Sequence, residues 1–182
     1  MIEANIDLDG IAINGLTIRE AVSIDVLFQV LGTPSRVDSG PTPAPAGHRN
    51  NQIHVYDTDG VYFNEHHFTR LAQGISFVLW PEGHDYRFTP TKPFSGKLVV
   101  AGYVVVPEMY ENDFATNVAL PWDISFAGMR FARKGEFSIG FTCVGKRQKS
   151  GRRSKHRRVV SVHASWPHDP WGGPRPVPPR SG

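Results

Sequence analysis

The apolar residues of this chain come in short runs with a period of two, and each run is cut off by Gly, Pro, Asn or Asp. Such runs cannot bury themselves as a helical bundle. They must pair with one another, because a strand leaves its backbone hydrogen-bonding groups to a neighbour. Ile6 and Leu8 alternate with Asp7 and Asp9, and Ile11 and Ile13 continue after Gly10. Asn14-Gly15 then predicts a tight hairpin, since both residues tolerate positive φ, and Leu16 and Ile18 return from it. In the centre, Gln52–Tyr56 sets Ile53 and Val55 against His54 and Tyr56. Asp57-Thr58-Asp59-Gly60 turns, Val61–Phe63 comes back, and Ile75–Trp80 adds a third strand. Residues 94–106 read as one long strand, apolar enough for burial on both faces and ended by Pro107. Glu136–Val144 and Arg158–Trp166 supply the last two strands, with Ile139, Phe141, Val160 and Val162 as core residues. Ile11–Ile18 also echoes Leu98–Val105, each placing a Gly between two apolar halves.

A helical period interrupts this pattern. Ile24, Leu27, Phe28 and Leu31 fall at i, i+3, i+4 and i+7. Ser23 is placed as N-cap, Asp25 favours the first turn, and Gly32 with Pro34 stops the helix. A second, short helix fits between Met109 and Ala119. The expected fold class is therefore α+β. One domain over residues 1–166 has an antiparallel meander of six to eight strands, with one main amphipathic helix, Ser23–Leu31, packed on it. A Pro-rich loop at 38–51 and a basic hairpin loop at 145–158 interrupt the domain. A Pro-rich tail, residues 167–182, follows it and is expected to be disordered, with Trp171 as a candidate anchor.

Charge divides the chain. Lys and Arg total 20 and Asp and Glu 17, a net charge of +3. Residues 1–130 carry 8 basic and 15 acidic side chains, whereas residues 131–182 carry 12 and 2. The excess is concentrated in Lys146, Arg147, Lys149, Arg152, Arg153, Lys155, Arg157 and Arg158. Without those eight cations the chain is an acidic domain of net −5. They are candidate ligands for phosphates or for an acidic partner surface. The same run also fits a solvated loop held open by its own repulsion. It contains no aromatic residue on which a base could stack, so sequence readout is not indicated.

Other chemistry is weakly encoded. A hydrophobic content of 40% excludes global disorder. No apolar run approaches the roughly 18 residues of a membrane span. The acidic start, Met1 to Asp7, predicts no secretory signal. A single cysteine, Cys143, leaves no intramolecular disulfide, and its place in an apolar strand predicts an inert thiol. Glu65, His66 and His67, with His54 and Asp57 nearby, offer metal-ligand chemistry. Adjacent histidines in a strand point to opposite faces, however, so no metal is expected. There is no GxSxG elbow, P-loop or GxGxxG, and hence no nucleophile signature or nucleotide cofactor.

The order of elements carries a resemblance. Asn14-Gly15, the helix, the run Leu31-Gly32-Thr33-Pro34-Ser35-Arg36, a variable loop and then Asn51–Val61 resemble a group of small bacterial proteins of uncharacterised function. Some relatives of that kind are immunity proteins that antagonise secreted toxins. The resemblance covers roughly residues 6–106 and supplies no catalytic residue, because its motifs are turns and caps. It implies a non-enzymatic cytoplasmic protein that binds a protein partner such as a toxin domain. The alternative expectation is a nucleic-acid-associated accessory protein acting through residues 146–158.

Overall fold

The first three strands form a meander: β1 (Glu3–Asp7), β2 (Gly10–Ile13) and β3 (Leu16–Ile18). The computed structural model describes residues 1–40, 50–66, 69–83, 87–124, 129–145 and 157–166. Alternation in β1 sends Ala4 and Ile6 inward. Asn14 and Gly15 turn the β2–β3 hairpin at φ 48° and 86°. Helix α1 (Ile24–Leu31) is capped as its sequence dictates: the Ser23 hydroxyl accepts the Asp25 N–H at 3.3 Å. The Gly32 N–H closes the other end on the Phe28 carbonyl at 2.9 Å.

The chain continues through β4 (Arg36–Ser39), β5 (Gln52–Tyr56), β6 (Val61–Glu65) and β7 (Ala72–Val78). A single 3-10 turn, Pro81–Gly83, precedes β8 (Lys97–Val100) and β9 (Tyr103–Val105). Helix α2 (Glu111–Asn117) leads into β10 (Asp123–Ile124), β11 (Met129–Lys134), β12 (Phe137–Val144) and β13 (Arg158–Ser165).

These strands make two sheets. The smaller runs β3-β2-β1-β8-β9, and the larger runs β10-β11-β12-β13-β7-β6-β5-β4. All neighbours are antiparallel except β1 and β8, which pair in parallel with Ala4 opposite Leu98. One apolar cluster joins the sheets. Ile6, Ile13, Leu98 and Val100 come from the smaller, and Phe63, Phe77, Ile139, Phe141 and Val162 from the larger. Leu27 of α1 and Phe114 of α2 close it. Full burial of each such side chain contributes about 1.5–3 kcal/mol, which makes this shared interior the main source of stability.

Among the described residues the protein is thus mainly β with two short helices. Several expectations change. Two sheets replace the single meander, because the parallel β1–β8 pairing withdraws five strands from it. Residues 94–106 are not one strand. Ala101 and Gly102 adopt φ 47° and 80° and fold Leu98–Val105 into a hairpin of the same turn geometry as Asn14-Gly15. The echo between the two segments is a local structural likeness, hidden by an alanine in a left-handed position. Helix α1 has eight residues and α2 seven, so neither dominates. Strands β4, β10 and β11 were unmarked by alternation, and β4 takes up the first residues assigned to the 38–51 loop. Residues 41–49 of that loop and the tail 167–182 lie outside the described residues. Among the described residues, no helix is long and apolar enough to cross a membrane.

Candidate functional site

A polar junction lies where β12 and β13 meet the basic segment. Glu111, the first residue of α2, stands between two guanidinium groups. It accepts from Arg130 Nε at 2.9 Å and from Arg157 Nη1 at 3.0 Å. Arg157 Nη2 donates to the Cys143 carbonyl at 2.8 Å, and the Arg157 carbonyl accepts the Glu111 N–H at 2.7 Å. The connector before α2 is also stitched to β13, through Val159 N–H to the Met109 carbonyl at 2.9 Å. Gly145 is packed so closely on Arg157 that a Cβ there would lie 2.7 Å from the arginine Cγ. Gly145 and Arg157, the described residues on either side of 146–156, are therefore held against each other. Beside the clamp the Cys143 thiol is pushed up to about 12, by burial first and then by the Glu111 charge.

One residue further on, Arg158 lies over the Trp80 ring at 4.5 Å from its centroid and donates to Glu108 at 3.3 Å. These three residues line an open cleft of about 480 Å³, with Leu79, Pro81, Glu82, Pro93 and Pro107 completing it. Trp80 is brought here by β7, whose end is tied to β13 by Leu79 N–H to the Val160 carbonyl at 2.8 Å.

Of the eight predicted cations, Lys146, Arg147, Lys149, Arg152, Arg153 and Lys155 lie outside the described residues. Arg157 departs from the expectation of a solvated cation: it is 8% exposed and held by Glu111. Arg158 is committed to Trp80 and Glu108. Both serve as the root of the segment.

The histidines take other places. His54 Nε2 meets Glu65 Oε2 at 2.7 Å across β5 and β6, with both side chains buried, and Arg70 Nε approaches the other carboxylate oxygen at 3.4 Å. Phe63 stacks on His54 at 4.7 Å and Phe28 meets it edge-on at 5.3 Å. His66 Nδ1 accepts the Thr69 N–H at 3.3 Å. Asp57 turns away to Arg36, 2.9 Å from its Nε, and to the Thr91 N–H at 3.0 Å. His54, His66 and Asp57 therefore do not converge, and His67 lies outside the described residues. Among the described residues, no group of three His, Cys, Asp or Glu is placed to hold a metal ion.

Sequence reading passed over His163. On the other face of the larger sheet its Nδ1 lies 2.8 Å from Ser76 Oγ, and its Nε2 lies 2.9 and 3.0 Å from Thr142 Oγ1 and Ser161 Oγ. Hydroxyls can both donate and accept, so a neutral imidazole is satisfied on both nitrogens. Sequence reading also missed Glu108 and Glu111, and gave Trp80 only as the end of the strand Ile75–Trp80.

Fold and site together define a mainly-β domain that presents a Trp-, Pro- and Glu-lined cleft at the clamped root of a basic segment. The sequence model of a domain of unknown function, DUF7738, matches residues 3–115, and the chain belongs to that family. No curated protein and no solved structure matches the chain. The family match holds the smaller sheet, β4–β7, Trp80 and Glu111, while Arg130, Cys143, Arg157 and Arg158 lie beyond it. The cleft and the clamp straddle that boundary.

Proposed function

We propose that this chain is a non-enzymatic, cytoplasmic protein-binding module that engages its partner at the Trp80 cleft and the basic segment rooted beside it. The observation that carries this reading is the composition of the cleft. A tryptophan, an arginine and three prolines lie together there, flanked by Glu82 and Glu108. Tryptophan and arginine are the residues that most often anchor protein interfaces. Carboxylates at the mouth repel phosphate, which weighs against a nucleic-acid channel. Lys146, Arg147, Lys149, Arg152, Arg153 and Lys155, with no acidic residue among them, suit an acidic surface on the partner and a fast encounter with it. The sequence resembles small bacterial proteins of uncharacterised function, and since some relatives of that kind antagonise toxins, a toxin domain is the first partner to try.

The test is co-expression with the product of the adjacent gene, scored by rescue of growth and by direct titration of the two purified proteins. Rescue is expected, together with weakening of at least about tenfold by Trp80→Ala, or about 1.4 kcal/mol. No binding and no rescue would overturn the immunity reading. Binding to non-specific duplex, with a salt slope that falls on replacing Arg152 and Arg153 by Ala, would replace it with the phosphate reading.

A further inference from the structure

Strand β9, Tyr103–Val105, ends the smaller sheet and has no neighbour on its far side among the described residues. Parity fixes which of its backbone groups face that open side. On the β8 side of the hairpin, Lys97 N–H donates to the Ile2 carbonyl at 2.9 Å and Ala101 N–H to the Ile6 carbonyl at 2.8 Å. Residues 97, 99 and 101 therefore turn toward β1, and Leu98 and Val100 bond to β9, opposite Val105 and Tyr103. Val104, opposite Val99, points both its N–H and its C=O toward the open side. We infer that this edge pairs antiparallel with β9 of a second copy about a two-fold axis at Val104, so that the two smaller sheets join across a homodimer. The inference does not depend on the reading of the Trp80 cleft.

Three observations favour a second copy as the occupant. The first is self-complementarity. With the axis at Val104, its N–H and C=O meet the C=O and N–H of the same residue in the second copy, and one position makes two hydrogen bonds. The next outward residue, Val106, falls opposite Gly102 of the second copy. A Cβ at Gly102 would have no atom within 4 Å, so there is open space beside it for the valine.

The second is surface chemistry. Val104 and Val106 are 49% and 51% exposed, whereas Val105, on the core face, is 7% exposed. Val99 is the cross-strand neighbour of Val104 on the exposed face. Pairing lines up Val99, Val104 and their two symmetry mates in one apolar row and shields it from water.

The third is charge. Edge strands that stay single are commonly guarded by charged side chains. Strand β4 carries Arg36 and Asp38, β10 carries Asp123, and β3 is followed at once by Arg19 and Glu20. No charged residue lies between Lys97 and Glu108, and Glu108 is engaged by Arg158. An isologous pair consumes its own edge and leaves only the guarded ones, so assembly closes at two. The pairing is short, which places it among weak interfaces with a Kd of about 10–100 µM.

The experiment is sedimentation equilibrium of the full chain from about 1 to 500 µM, a range that brackets this Kd. The average mass should rise from that of one chain toward that of two. Val104→Lys and Val104→Glu each set like charges face to face across the axis and should weaken the dimer by about tenfold or more. An equimolar mixture of the two variants should recover it, because the mixed pair brings Lys against Glu. Leu16→Lys, on the opposite edge of the same sheet, should leave it unchanged. Val104→Cys gives a second reading if the charged variants do not fold. Mild oxidation should link two chains through it, since directly paired residues lie about 5.5 Å apart at Cα. Val106→Cys should not link, its two copies being four residues, or about 13 Å, apart. The native Cys143 is buried and stays out of the exchange. A wild-type chain that is monomeric throughout would overturn the inference. So would a dimer unmoved by Val104→Lys, a mixture of the charged variants that stays monomeric, or cross-linking at position 106 as fast as at 104.

Discussion

Replacing Glu111 by Ala should unlock the root of the basic segment at a measurable cost. Glu111 accepts one hydrogen bond from Arg130 and another from Arg157, at 2.9 and 3.0 Å. Breaking a fully buried ion pair by removing one partner costs about 3–5 kcal/mol, because the remaining charge is left unpaired. Here the side chains of Glu111 and Arg157 are 12% and 10% exposed, but that of Arg130 is 26% exposed and can find water. The expected loss is accordingly reduced to about 2–3 kcal/mol. For a chain of this length that is a fall in Tm of roughly 4–12 °C. Thermal and urea melts monitored by tryptophan fluorescence provide the measurement. A double-mutant cycle provides the refutation. Glu111→Leu with Arg157→Met should recover most of the loss, since a buried pair replaced by apolar groups is near neutral. Additive single effects, or a loss below about 0.5 kcal/mol for Glu111→Ala, would show that the three side chains are not coupled.

Other consequences are separately testable. Gly60→Ala should cost more than about 2 kcal/mol in urea unfolding, since Gly60 sits at φ 70° and a Cβ would lie 2.1 Å from the Phe94 nitrogen. Cys143 should resist iodoacetamide at pH 8 in the folded protein and react once denaturant is added. Its folded pKa of about 12 lies above the ordinary 9.0, so the folded state holds the proton longer. Stability from this group is intact below pH 9 and declines as pH rises from 9 to 12, a component that Cys143→Ala should lack in alkaline melts. Ser161→Ala should destabilise by about 1 kcal/mol, through the hydroxyl it withdraws from His163 Nε2.

Local chemistry made much of the fold legible. Ser23, Gly32, Asn14-Gly15 and Gly60 each mark a boundary that depends on one or two residues, and the structure places a cap or turn at each. The hairpin at Ala101-Gly102 was illegible because alanine gives no sign of a left-handed backbone, and Leu98–Val105 is apolar on both sides of it. The division into two sheets was illegible for a different reason. The parallel pairing of β1 with β8 joins residues more than ninety positions apart, and alternation states which face is buried but not which strand is the neighbour. At the site, the charge run was plain. The inward turn of Arg157 was not, since it depends on Glu111 arriving from α2. Trp80 and Glu108 likewise meet Arg158 only through tertiary contacts.

The position of β13 between β12 and β7 also has a consequence for the order of synthesis. When residue 115 has been made, β1 through β9 all exist, and β7 has β6 on one side and nothing on the other. Its seven residues, Ala72–Val78, are mostly apolar and then present an open row of amide and carbonyl groups. The strand that covers them ends at Ser165, some fifty residues later. At about 5–20 residues per second, a nascent chain carries that bare edge for roughly 3–10 s. A chaperone that recognises extended apolar strands should therefore hold this protein during translation and release it when β13 emerges.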